Sequence, residues 1–211
     1  MLSSWHTLAA APLDWATVRR VLVVRLRSIG DTVLTTPTLA ALRRFLPEAQ
    51  IDVLLEDWVA PLLSGHTDVD EVVTIRRGSL MNRVRAVRGL RRRKYDVVFN
   101  LHGGTTATLL TRATGAPHRI GFKDYQYGFL HNHPAAPAAA LWGRNPLHSV
   151  EQQLAVVASV GVPVSQFIPT RLTVTREAAA SITQKLDERG RVPVAIKMCV
   201  FVFDSHFTAF V

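Results

Sequence analysis

Cysteine is almost missing from this chain, and its scarcity removes two classes of protein at once. Cys199 stands alone among 211 residues, so an internal disulfide is impossible and a zinc site built from cysteine clusters is excluded. A lone thiol suits a reducing compartment. Long apolar runs are lacking too, since no stretch approaches the roughly 20 residues that a membrane-spanning helix needs. The first 18 residues carry no basic cluster, and Pro12 and Asp14 interrupt their apolar stretch, so a secretory leader is not expected. The expected location is the cytoplasm, with peripheral contact at the inner membrane.

Two nucleotide signatures are absent as well. No G-x-G-x-x-G follows a strand-like run, and no G-x-x-x-x-G-K-[ST] occurs anywhere, which argues against a dinucleotide and against a P-loop triphosphate. Acids are missing from one window. Residues 76–94 contain Arg76, Arg77, Arg83, Arg85, Arg88, Arg91, Arg92, Arg93 and Lys94 with no Asp or Glu. Those nine account for the whole net charge of +9, because the rest of the chain balances 16 basic against 16 acidic residues. The basicity is one local patch. No aromatic residue interleaves with it, so nucleic acid is not an expected partner; by composition it reads first as a solvated face, and as a binding surface it suits an anionic lipid or a phosphorylated ligand.

What is present is globular. Hydrophobic residues make up 48% and charged residues 19% of the chain, enough for one core of ordinary domain size. A complete two-domain enzyme of the doubly wound type needs roughly 300 residues, so one domain and a fragment are expected.

Apolar runs and helical periodicities alternate along the chain. Residues 21–26 (VLVVRL), 51–55, 71–75, 95–101 (YDVVFNL) and 119–122 read as strands of a parallel sheet, since β-branched apolar runs are what such a sheet buries on both faces. Residues 32–46, 57–63, 79–94, 105–114 and 148–160 read as helices. The stretch 123–145 reads as a long loop over the site. Residues 161–169 are expected to link two domains, followed by a strand at 171–174, a helix at 177–189 and a strand at 192–197. The fold class is therefore α/β, a Rossmann-like parallel sheet with flanking helices. An N-terminal extension (1–20), a sheet domain (21–165) and the opening of a second domain (166–211) follow from that layout.

The densest chemistry lies in Arg27-Ser28-Ile29-Gly30-Asp31, where the first strand passes into a helix, the edge at which open α/β sheets place ligands. Gly30 is expected to allow a tight turn and close approach to a ligand. Asp31 at the helix entry has two readings, a helix cap or a base facing a bound hydroxyl. His102-Gly103-Gly104 follows the fourth strand at the same edge, either as a plain turn or as a ligand-facing loop. Arg119 could meet a phosphate or carboxylate, or lie on the surface. Asp68-Val69-Asp70 reads as a turn and not as a metal-binding D-x-D pair. His131, His133, His148 and Glu151 match no standard metal spacing, and packing roles are expected for them.

The segment VLVVRLRSIGDTVLTTPTLAALRRFLPEAQIDVLLEDWVAPLL, followed by HTDVDEVVTI, YDVVFNLHGGTTATLLTRATGAPHRIGF and HSVEQQLAVVASVGV, resembles glycosyltransferase family 9, the ADP-heptose:lipopolysaccharide heptosyltransferases. The form L-R-x-I-G-D-x-x-L-T-T-P is most similar to the heptosyltransferase III branch. The resemblance implies a GT-B enzyme of two Rossmann-like domains that transfers a heptose from ADP-heptose to a lipopolysaccharide-type sugar with inversion. It also implies no cofactor and no metal. It makes Asp31 the general base and puts Ser28, Gly30, His102, Gly103, Gly104 and Arg119 in the acceptor cleft. Residues 197–211 match nothing in the family and suggest a frameshift or truncation. Residues that would hold ADP are expected in a missing donor-binding half, and the chain alone is expected to be inactive. The alternative is a non-catalytic acceptor-binding or interaction fragment.

Overall fold

The structure is a computed structural model, and it describes residues 13–76, 78, 80–164, 168–174 and 176–189. The chain divides into two compact units, Met1–Thr173 and Val174–Val211. In the second unit the described segment is helix α7 (Arg176–Arg189), which matches the expected helix at 177–189. The strand expected at 192–197 and the atypical tail lie outside the described residues.

The first unit is built on six parallel strands: β1 (Arg20–Val24), β2 (Gln50–Glu56), β3 (Glu71–Ile75), β4 (Val97–Asn100), β5 (His118–Phe122) and β6 (His133–Ala135), in the order β3-β2-β1-β4-β5-β6. Around them lie α1 (Ile29–Val33), α2 (Thr36–Phe45), α3 (Leu80–Arg92), α4 (Thr105–Ala113), α5 (Ala138–Trp142) and α6 (Ser149–Ala158). The order reverses between β1 and β4, which opens a crevice at the carboxyl ends of those two strands.

Strand periodicity sorts the core into two layers. Val21 and Val23 of β1, Ile51, Val53 and Leu55 of β2 and Phe99 of β4 point to one face, where they meet Leu39 and Leu42 of α2 and Val156 and Val157 of α6. Leu22, Val24, Leu54 and Val98 point to the other, where Leu90 of α3 and Ala107 and Leu110 of α4 cover them. Both faces are covered, which is why the central strands read as mainly apolar runs. Two polar side chains are fully buried on the second face: Asn100 at the end of β4, and Asp52, whose carboxylate accepts hydrogen bonds from the Tyr95 hydroxyl at 2.6 Å and from Gln50.

Four expectations need correction. The helix expected over 32–46 is two helices, α1 and α2, because Pro37 in the first turn of α2 has no N–H to continue an upstream ladder. The loop expected over 123–145 contains β6, a 3-10 turn at Gly128–Leu130 and α5. Its strand is only three residues long and carries Pro134, which an edge position tolerates. The strand expected at 171–174 is irregular and exposed, and the Arg171 backbone bonds to the side chains of Thr36 and His66 and not to a neighbouring strand. Finally, the described part of the expected N-terminal extension packs into the sheet domain: Leu13 and Val18 are buried in the core, and the Trp15 indole N–H donates to Val160 O at 3.0 Å. Among the described residues no helix is long and apolar enough to cross a membrane.

Candidate active site

The site begins with a charged residue at the end of a buried strand. Directly after β1, the Arg25 backbone continues the ladder through its N–H to Leu54 O at 3.1 Å, so its side chain leaves the sheet at the crevice. Its guanidinium donates to Leu101 O in a short hydrogen bond and reaches Asp31 Oδ2 at 2.6 Å. Burial pulls Arg25 below the ordinary guanidinium value, and the neighbouring Asp31 opposes that pull. The two partners differ in exposure, 10% for the Arg25 side chain against 33% for Asp31. One end of the pair is anchored and the other faces solvent.

Asp31 reaches this position because another residue caps the helix. Ser28, with φ of 79°, is the N-cap of α1, and its hydroxyl accepts the Asp31 N–H at 3.4 Å. Asp31 therefore sits in the first turn with its carboxylate turned back toward Arg25, and the cap reading of Asp31 falls. The role expected of Gly30 changes too. The left-handed residue of the turn is Ser28, while Gly30 is helical and a Cβ there would meet nothing within 4 Å. Gly30 borders open space and the chain does not need it in order to turn.

The Asp31 carboxylate opens onto a polar cleft of about 270 Å³ whose walls include Arg25, His102, Tyr125, Ser149 and Gln153. A larger cleft of about 530 Å³ adjoins it, lined by Arg27, Glu56, Arg76, His102, Gly104 and Thr105 among others. His102 belongs to both. Burial, followed by the charges of Arg25 and Arg27, lowers its pKa from 6.5 to about 4, so at neutral pH it is an uncharged imidazole. Gly103, at φ of +75°, packs so closely under the Tyr125 ring that a Cβ would lie 2.9 Å from it. Gly104 is the N-cap of α4, which leaves backbone N–H groups at the rim of the larger cleft.

Thus Ser28, Gly30, Asp31, His102, Gly103 and Gly104 gather at one edge of the sheet, but Arg119 does not join them. It is the second residue of β5, whose carboxyl end is Phe122, and its guanidinium donates to Ala116 O at 2.6 Å and Leu130 O at 3.3 Å. It ties loops together at a distance from the clefts. The histidine and acid pairs also have local partners. His148 and Glu151 form a capping box on α6, and Glu151 pairs with Arg144. Asp70 accepts the Ile51 N–H at 2.6 Å and pairs with Arg43 at 2.5 Å, so it braces β2 and α2. Among the described residues no group of three His, Cys, Asp or Glu could hold a metal ion.

The residues overlooked in the sequence are Arg25, Asn100, Tyr125 and Gln153. For Arg25 and Asn100 a signal existed: each interrupts an otherwise apolar strand run, and a polar group there must find partners. Tyr125 and Gln153 arrive from distant segments and left no local trace.

Several known proteins are similar to this chain. The sequence profile of glycosyltransferase family 9 (heptosyltransferase) matches residues 83–200. Lipopolysaccharide heptosyltransferase 3 of Escherichia coli K12 is 26% identical over 178 residues, which is 78% of this chain and 49% of that protein. Among solved structures, a glycosyl transferase family 9 protein from Veillonella parvula DSM 2008 superposes with a TM-score of 0.67 at 18% identity, over 83% of this chain and 51% of that one. E. coli ADP-heptose lps heptosyltransferase II gives a TM-score of 0.63 at 23% identity, over 82% and 51%. The chain spans about half the length of these relatives.

The depressed histidine has a consequence for stability. The unfolded chain protonates His102 near 6.5 while the folded chain resists until about 4, so stability falls as pH drops through that window. In His102→Gln that loss is expected to be smaller, as measured by denaturant midpoints at pH 7 and pH 5. An identical pH dependence in both proteins would refute the assignment.

Proposed function

Because this chain belongs to glycosyltransferase family 9, we propose that it forms the acceptor-side half of an inverting glycosyltransferase of the heptosyltransferase type, with Asp31 as its general base. The donor is an ADP-heptose-like nucleotide sugar, and the acceptor is a sugar hydroxyl of a lipopolysaccharide core. The observation that carries this reading is the orientation of Asp31: one carboxylate oxygen is held by Arg25, and the side chain is open to the cleft beside His102.

The chemistry follows from that orientation. An acceptor hydroxyl lying in the cleft gives its proton to the free oxygen of Asp31 as its own oxygen forms a bond to the anomeric carbon. The bond from that carbon to the nucleotide diphosphate breaks on the opposite face, and the diphosphate leaves with the electron pair. Arg25 keeps the carboxylate from rotating, and neutral His102 offers a hydrogen bond to the sugar without adding a charge. Residues that grip the nucleotide belong to the complementary half of the longer relatives. Holding both reactants in line supplies up to roughly 7–11 kcal/mol of the barrier, so this half alone is an acceptor-binding body and a poor catalyst.

The basic patch fits the same reading. On α3 the arginines Arg85, Arg88 and Arg92 are exposed together with Met81 (66%) and Val84 (44%), a mixture of cationic and apolar groups suited to an anionic membrane surface. Arg93 faces inward to Glu71 and Asp52. The patch defined by the window from Arg83 to Lys94 would bring the cleft to a membrane-anchored acceptor.

Two outcomes check these statements. In a protein joined to its nucleotide-binding half, Asp31→Asn keeps an oxygen for Arg25 but cannot take a proton, and turnover is expected to fall by roughly 10²–10⁴ with the fold unchanged by circular dichroism. Wild-type turnover would end the base assignment. Each charge near an anionic bilayer is worth about 1 kcal/mol, so the double variant Arg88→Glu, Arg92→Glu should weaken flotation with phosphatidylglycerol vesicles by at least roughly tenfold. Unchanged flotation would remove α3 from the membrane.

A further inference from the structure

Asn100, the last residue of β4, is fully buried, and an amide in that position must satisfy both its oxygen and its nitrogen. Its Oδ1 accepts the backbone N–H groups of His102 at 3.2 Å and Gly103 at 3.1 Å. Those donors fix which atom of the amide is the oxygen, so Nδ2 faces the other way. There it approaches Thr108 Oγ1 at 3.1 Å and His131 Nε2 at 3.3 Å. The Thr108 hydroxyl donates its own proton to Gly104 O at 3.1 Å, which leaves its lone pairs for Asn100.

The tautomer of His131 follows by the same logic. His131 is buried, and its Nδ1 lies 3.1 Å from Gly128 O. A carbonyl only accepts, so Nδ1 carries the proton and Nε2 presents a lone pair to the Asn100 amide. The imidazole must be neutral for this. Burial lowers its pKa, the Gly128 carbonyl opposes that, and Arg119 adds to it. Two glycines make room for the ring and for its anchor. At Gly121 a Cβ would lie 2.6 Å from the His131 ring, and at Gly128 it would lie 2.2 Å from Lys123 O. A continuous chain of single-sense hydrogen bonds therefore runs from Gly128 O through His131 and Asn100 to the amides of His102 and Gly103.

We infer that Asn100 and His131 are positioning residues, which together hold the 102–104 loop in the shape that lines both clefts. Neither borders a cleft itself. The inference rests on the reading that these clefts receive the acceptor, but the relay can be measured without any transfer assay. His131 is the informative member, since it touches neither amide and lies in a different segment of the chain.

The test is amide hydrogen exchange on the full chain by NMR, with Leu22 and Val53 in the central strands as internal references. In His131→Leu the amides of His102 and Gly103 should exchange roughly tenfold faster relative to those references, the equivalent of one hydrogen bond. Gly121→Ala should do the same by displacing the ring. His131→Gln, whose side-chain oxygen can replace Nε2 as acceptor, should restore most of the protection. The inference fails if the two amides are unaffected in His131→Leu. It also fails if the reference strands accelerate equally, which would make His131 a packing residue only, or if Gln behaves as Leu does. In a protein joined to its nucleotide-binding half, His131→Leu should raise KM for the acceptor more than it lowers kcat. Loosened amides with an unchanged acceptor KM would leave the relay standing and remove the acceptor from these clefts.

Discussion

The Arg25 guanidinium is a charge at the end of a buried strand, and it can be kept there only by acceptors that come to it. Two do: Leu101 O after β4 and the Asp31 carboxylate in the first turn of α1. The first ties the β1 and β4 loops to each other across the point where the strand order reverses. The second fixes the direction of a carboxylate that would otherwise rotate freely at the surface. Desolvating a guanidinium is costly unless such partners are present, so the arrangement is both required by burial and useful at the site. A partly exposed carboxylate of one fixed orientation, bordered by an uncharged imidazole, is what remains facing the cleft.

The loop after β4 is shaped by a second constraint of the same kind. Asn100 is a polar side chain enclosed between β4, α4 and the segment before β6, and its four hydrogen bonds go to three different parts of the chain. Each buried polar residue at this edge thus converts the cost of its own burial into a definite loop geometry. Arg25 does so for Asp31, and Asn100 does so for His102 and Gly103. The apolar layers beneath them, Phe99 and its neighbours on one face and Leu22 and its neighbours on the other, keep the strand ends that carry these residues in register.

Much of this was legible in the sequence. The strands β1, β2 and β4 stand out as apolar runs because both sheet faces are covered there, and the loop holding Asp31 stands out because it follows the first of them. The failures have physical causes. β6 is too short to show a period, and α2 carries in its first turn Pro37, whose missing N–H separates it from α1. The rule that Asp favours helix caps pointed to Asp31, but Ser28 three residues earlier took that role through a left-handed backbone. Arg119 carries the right charge for an anionic ligand, yet its position in β5 places it at the wrong end of the strand. Gln153 meets Thr35 at 2.8 Å across 118 residues of chain, and His131 meets Asn100 across 31; no local pattern reports contacts of that kind.

A crystal structure of the protein joined to its nucleotide-binding half, with an acceptor sugar bound, tests the central claim most directly. The account predicts the reacting hydroxyl within about 2.6–3.2 Å of Asp31 on the oxygen not held by Arg25. An acceptor whose reacting hydroxyl lies beyond reach of Asp31, or an Asp31 with both oxygens enclosed by Arg25, would contradict it.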